Sequence, residues 1–357
     1  MRRSLCFLFL FLGIFLFAAE PVFYDAQPYL EGMAFDDAPP FSRLSVNAEE
    51  LVRKPVWDLS RNSAGVVAHF ISDATEIHIQ WEVLNNFHMV HMAGTGTRGL
   101  DLYVKHDKNW FHLGTGKPYK EENTRRLIKN LSAEPREYML YCPLYDGLKS
   151  LTIGLNPEAT IQTIERKDKL IVFYGTSITQ GGCVSRPGMA YPAILGRMLN
   201  RESINLGFSG NGRMDPEIVD YISEIDAACY VFDCFPNMDI KMIKERAEVE
   251  LKKLLETHPK TPILLVPNIM EEDGWFDPEV YNANVVENTE LTAIYNRLKK
   301  DHKNLYMIPF KQIRHVAVEG TVDGIHLTDL GAMRMAEVME KWLKRIVKQR
   351  PHTKALR

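Results

Sequence analysis

Leu170-Ile171-Val172-Phe173-Tyr174-Gly175-Thr176-Ser177 is the stretch on which the reading of this chain turns. Five consecutive apolar residues are too short a run for a helix and read as a buried strand. Gly175 closes the strand, and Ser177 then stands ahead of a helix-like segment over residues 189–199. A serine at the end of a buried strand is presented as a nucleophile, although the run lacks a complete nucleophile-elbow motif. Far downstream, Asp323-Gly324-Ile325-His326 offers a base and a carboxylate to orient it.

Working outward, residues 203–206, 230–232, 261–266 and 305–308 read as further strands, with helical segments between several of them. Leu291, Ile294, Tyr295 and Leu298 fall on one helical face, and a second helix is expected over much of 240–257. Near the end, Leu330, Met333, Val338, Trp342 and Ile346 are expected to form an apolar face, with Thr328 as its cap. Strands alternating with helices predict an α/β fold around a parallel sheet, whose C-terminal edge carries the loops that do chemistry.

Before about residue 165 the pattern differs. Residues 78–83 and 100–104 alternate in character, and 138–141 and 151–155 look like further strands, separated by Gly, Asn and Pro. These predict a β-sandwich-like domain over 20–165, a charged connection at 165–169 and a catalytic domain over 166–350. Residues 351–357 are expected to form a flexible tail. At the other end, Arg2 and Arg3, an apolar stretch over 5–17 and Ala18-Ala19 have the order of a secretory signal covering 1–19. The expectation is an exported, periplasmic or extracellular protein without a membrane span in its mature form.

A net charge of -3 gives no broad electrostatic reason to bind nucleic acid. Cys142, Cys183, Cys229 and Cys234 would remain after export, but a chain of 357 residues does not need a disulfide framework. No close Cys/His cluster suggests structural zinc. His88 and His91 have helical i,i+3 spacing in a segment that reads as loop or strand, so no metal and no organic cofactor is expected.

The candidate chemistry is acyl transfer. His326 would take the Ser177 proton and return it to a leaving alcohol, while Asp323 orients the imidazole. The loop Gly207-Phe208-Ser209-Gly210-Asn211-Gly212 can expose backbone N–H groups to an oxyanion, and the Asn237 amide can donate to the same oxygen. Local turn formation competes with each of these readings.

Together the blocks at 175–179, 205–210, 234–237 and 323–326 resemble the SGNH, or GDSL-type, hydrolases. That resemblance implies a three-layer sandwich with a central parallel sheet and a triad of Ser177, His326 and Asp323. It also implies an oxyanion hole made by the N–H groups of Ser177 and Gly210 and the side chain of Asn237. Thr176 stands where many relatives have aspartate, and Pro236 precedes Asn237 without the usual glycine-rich approach. Gly99-Leu100-Asp101-Leu102-Tyr103 is similar to the Gly-x-Asp-Leu-Tyr signature of a β-rich domain found before some exported members. A structural role for Asp101 and Tyr103 is favoured over substrate contact.

The resulting expectation is an exported serine esterase acting on an acylated small molecule or carbohydrate, with O-deacetylation as one form. Lipase or acyltransferase chemistry uses the same machinery. A different class, non-catalytic carbohydrate binding, would use Trp57, Trp81 and Trp110 as stacking surfaces, although a structural role is favoured for each; for the esterase, Trp275-Phe276 could contact substrate, with core packing the more frequent use of such residues.

Overall fold

A computed structural model describes residues 20–347; the expected signal and C-terminal tail lie outside the described residues. Among the described residues no helix is long and apolar enough to cross a membrane.

Five parallel strands form the central sheet, in the order Ser203–Gly207, Ile171–Gly175, Cys229–Asp233, Ile263–Leu265, Leu305–Met307. Every residue of Ile171–Gly175 and of Cys229–Asp233 is buried. Alternate side chains feed two cores. Val172 and Tyr174 pack with Leu206 and Phe232 on one face, against Ile218, Leu251 and Leu291 of the covering helices. Ile171 and Phe173 pack with Val231 and Leu264 on the other, against Leu195 and Met339. Helices cover both faces, which is the expected three-layer α/β arrangement. The strand order reverses between Ile171–Gly175 and Cys229–Asp233, so Ser177 leaves the sheet beside a topological switch point, where open α/β sheets form their binding crevice.

The final helix, Asp329–Ile346, corrects two expectations. It buries Gly331, Ala332, Met335, Ala336, Met339, Leu343 and Ile346, while Leu330 is 49% exposed and Met333, Val338 and Trp342 lie at the margin. Small residues let this helix approach its neighbours closely, so the buried face is set by fit as well as by apolar bulk. Thr328 holds the cap position, but its hydroxyl donates to the Gly320 carbonyl instead of accepting a helix N–H. The expected helix over 240–257 is present, with a π-turn at Ile243–Ala247 inside it.

The preceding region forms two antiparallel sheets. One has the order Val22–Asp25, Leu148–Leu155, Ile77–Val83, Glu122–Ile128. The other runs Ile161–Thr163, Val67–Ser72, Arg136–Tyr141, Leu100–His106, Asn109–Gly116. Their inner faces share a core of Phe70, Ile79, Trp81, Leu102, Tyr138 and Ile153. The tryptophans are therefore not open platforms. Trp57 and Trp81 are buried, Trp81 donating to the Arg98 carbonyl, and Trp110 is half-buried beneath Lys105.

Asp101 and Tyr103 bind this region to the α/β region. The fully buried Asp101 carboxylate accepts from Arg186 Nη1 at 2.6 Å and from the Gly188 N–H at 2.9 Å. Arg197 lies over the Tyr103 ring, 4.0 Å from its centroid. In addition, Leu44, Val56 and Trp57 join the core on one face of the parallel sheet. All four described cysteines are buried and free.

Candidate active site

Ser177 is held at the end of its strand by contacts that depend on small neighbours. A Cβ on Gly175 would lie 1.9 Å from Thr179 Oγ1 and 2.8 Å from the Asp233 carbonyl oxygen. Thr176 caps the short helix Ser177–Gln180 by accepting the Ile178 N–H at 3.2 Å, so threonine supplies the acceptor that a capping aspartate would. Ser177 is 7% exposed, and its hydroxyl lies 2.9 Å from His326 Nε2.

His326 follows a tight turn whose Gly324 has φ +91°. Asp323 Oδ1 accepts the backbone N–H groups of Ile325 (3.2 Å) and His326 (2.8 Å), while Oδ2 lies 2.7 Å from His326 Nδ1. With a carboxylate on Nδ1, that nitrogen carries the proton and Nε2 is left to accept from Ser177. Burial pushes the Asp323 carboxyl up, but the backbone and ring N–H groups of His326 outweigh it and hold the pKa below the ordinary carboxylate value.

The loop after Ser203–Gly207 lies beside this chain of hydrogen bonds. Phe208 N–H donates to the Gly175 carbonyl (3.0 Å) and Ser209 N–H to Gln180 Oε1 (3.0 Å). Gly210 has φ +66° and open space where a Cβ would stand. Its N–H, like that of Ser177, donates to nothing among the described residues. Asn237 is tied to the same loop. Turned one way its amide makes only a 3.4 Å contact with the Phe208 carbonyl. Turned the other, Oδ1 accepts from Asn211 N–H (3.1 Å) and Gly212 N–H (3.3 Å). Hydrogen bonding selects the second orientation, which leaves the Asn237 NH2 as a donor.

The chain aligns with a solved protein from Bacteroides ovatus described as a GDSL-like lipase, at 36% identity and TM-score 0.87, over 93% of this chain and all of that one. The profile of the GDSL-like Lipase/Acylhydrolase family matches residues 168–344. The chain belongs to this family. The GxDLY profile, described as the N-terminus of the SGNH-hydrolase type of esterase, matches residues 22–161. The salicylyl-acyltransferase SsfX3 from a tetracycline biosynthetic pathway is 16% identical with TM-score 0.72, covering 92% of this chain and 99% of that one. A family two carbohydrate esterase from Cellvibrio japonicus is 11% identical with TM-score 0.58, covering 92% and 98%. These two likenesses show a shared fold. Comparison with curated proteins gave no match.

This GDSL-family esterase supports its site with residues that sequence reasoning missed. Gln180 Nε2 donates to the Leu144 carbonyl, so one side chain joins the Ser177 helix, the Gly210 loop and the sandwich region. Arg43 is buried and donates to the carbonyls of Leu59, Asn62, Asn205 and Gly207. Burial without a carboxylate partner pulls its pKa down to about 9. Asp233 accepts from Thr179 and Tyr191 beneath the Ser177 helix, and burial pushes its carboxyl up to about 7. These contacts span up to 164 residues of sequence, so no local motif marks them.

A cavity of about 480 Å³ adjoins the Gly210 loop in this hydrolase, lined by Asn62, Asn85, Phe87, Met89, Tyr145 and Ser209 among others. A hollow of about 530 Å³ lies on the sandwich, lined by Gln80, Glu82, Tyr119 and Arg125; neither lining includes Ser177, Asp323 or His326, and only the smaller one touches the Gly210 loop. The structure parts His88 from His91: His88 lies 3.3 Å from Arg98 Nη2, whereas the His91 ring lies 5.7 Å from the His326 ring. Trp275 stacks on His315, and Phe276 is 90% exposed.

Proposed function

We propose that this GDSL-family esterase is exported and removes acetyl or other short acyl groups from carbohydrate hydroxyls, with Ser177 as nucleophile. The observation carrying the mechanism is the 2.9 Å contact between Ser177 Oγ and His326 Nε2, backed by Asp323 at 2.7 Å. Ser177 Oγ attacks the ester carbonyl carbon as its proton passes to His326 Nε2. The oxyanion is met by the N–H groups of Ser177 and Gly210 and by the Asn237 amide, donors fixed before charge develops. Collapse breaks the ester C–O bond, and His326 returns the proton to the leaving alcohol. Water then attacks the acyl-enzyme, gives a proton to His326 and releases the acid, while Ser177 recovers its hydrogen. Asp323 stays ionised throughout.

The cavity beside the Gly210 loop sets the amides of Asn62, Asn85 and Asn211 against an apolar wall of Pro55, Leu59, Phe87 and Met89, so it can take an acylated alcohol with both polar and apolar groups. Residues 20–165 are the accessory domain in this reading and 166–350 the catalytic one, with 1–19 as the export signal and 351–357 as a tail. Carbohydrate binding without turnover is the second reading, favoured by the sandwich hollow in which Tyr119 is 70% exposed.

One experiment separates them: release of acetate and longer acids from acylated sugars and simple esters by the wild type and by Ser177→Ala. Acetate released only by the wild type is the expected result. Equal release by both folded proteins would sink the Ser177 mechanism. Saturable polysaccharide binding without Ser177-dependent release would favour the second reading.

A further inference from the structure

We propose that His91, Cys183 and His326 form a binding site for a zinc-like divalent cation, and that its occupation stops hydrolysis. The three ligand atoms lie within 4.8 Å of one another. A tetrahedral zinc with Zn–N near 2.1 Å and Zn–S near 2.3 Å places such atoms roughly 3.5 Å apart, so closure takes side-chain rotations of about 1 Å. The residues come from three separate segments. His91 belongs to the loop after Ile77–Val83, Cys183 to the turn after the Ser177 helix, and His326 to the turn that carries Asp323. Cys183 N–H donates to the Leu327 carbonyl at 3.1 Å, which keeps the thiol beside His326.

The donor set decides the cation. Two imidazoles and a thiol favour zinc and similar borderline or soft ions over magnesium or calcium, which prefer oxygen ligands. Cys183 is 6% exposed, and the hydrolytic steps use neither it nor His91. On coordination the thiol proton passes to solvent and the sulfur becomes thiolate. A metal on His326 Nε2 occupies the lone pair that would take the Ser177 proton, so the ion acts as an inhibitor and not as a cofactor. The inhibitory half of the proposal rests on the base role given to His326; the binding half does not.

The test uses the full chain freed of metal with a chelator. Zinc added during p-nitrophenyl acetate hydrolysis is expected to inhibit through one saturable site. His91→Ala and Cys183→Ser are expected to keep metal-free hydrolysis and to shift the inhibition midpoint upward by about tenfold or more. Cobalt titrated into Ser177→Ala should give one thiolate-to-cobalt charge-transfer band, absent from the Ser177→Ala/Cys183→Ser double variant. This readout needs no turnover, so failure of the esterase mechanism and failure of the metal site are told apart. Absence of zinc inhibition, unchanged inhibition in His91→Ala, or a cobalt spectrum indifferent to Cys183 would each overturn the proposal. His91→Ala keeps the test decisive if Cys183→Ser does not fold.

Discussion

At Asp323 one carboxylate meets three N–H groups, two from the backbone and one from the His326 ring. Asp323→Asn removes the charge that fixes the imidazole tautomer and should lower kcat by roughly 10⁴-fold. Asn237→Ala deletes one of the proposed oxyanion donors and should cost about 10²- to 10³-fold in kcat, with little change in KM. Because the Asp323 pKa is lowered, this carboxylate stays ionised as pH falls through the ordinary range near ~4. An Asp323 carboxyl found by NMR titration at or above the ordinary aspartate value would refute the assignment. Ser177, Asp323 and His326 were legible because each lies in a short motif at a strand end or turn. Arg43, Gln180 and Asp233 were not, because only folding gives them their partners.

The junction between the strand Ile171–Gly175 and the helix Ser177–Gln180 is tuned by Asp233 at the end of the adjacent strand. Its folded pKa of about 7 exceeds that of an unfolded aspartate, so the folded chain binds the extra proton between about pH 4 and 7. The stability it contributes is complete below the unfolded pKa and is lost as pH rises through 7. Asp233→Asn, which cannot ionise, should gain on the wild type across that window by roughly 1–4 kcal/mol, read from urea midpoints at pH 5 and 8. A constant difference between the two proteins would refute this account. The parallel strands were readable because burial on both faces leaves unbroken apolar runs. Polar strands such as Glu122–Ile128 escaped for the opposite reason, since exposed residues such as Glu122, Thr124, Arg125 and Arg126 interrupt the apolar signal. In Asp329–Ile346 the contact face includes Gly331, Ala332 and Ala336, residues that apolar counting passes over.

At the scale of the whole molecule, Asp101 with Arg186, and Arg43 with the Asn205 and Gly207 carbonyls, couple the sandwich region to the α/β region. Shared cores of this kind predict one cooperative unfolding transition. Asp101→Ala leaves the Arg186 guanidinium without its carboxylate, with only the Tyr103 hydroxyl still accepting from it, and should cost about 3 kcal/mol, lowering the urea midpoint while keeping a single transition. Two separated transitions in the wild type would show that the regions fold independently. Arg43 also bears on how such proteins can be recombined. It lies well before the parallel sheet in the chain, yet it supports the strand end that leads into the Gly210 loop. A chimera joining residues 166–350 to a foreign accessory module would leave that support behind, so the heritable unit of this hydrolytic centre extends back at least to Arg43.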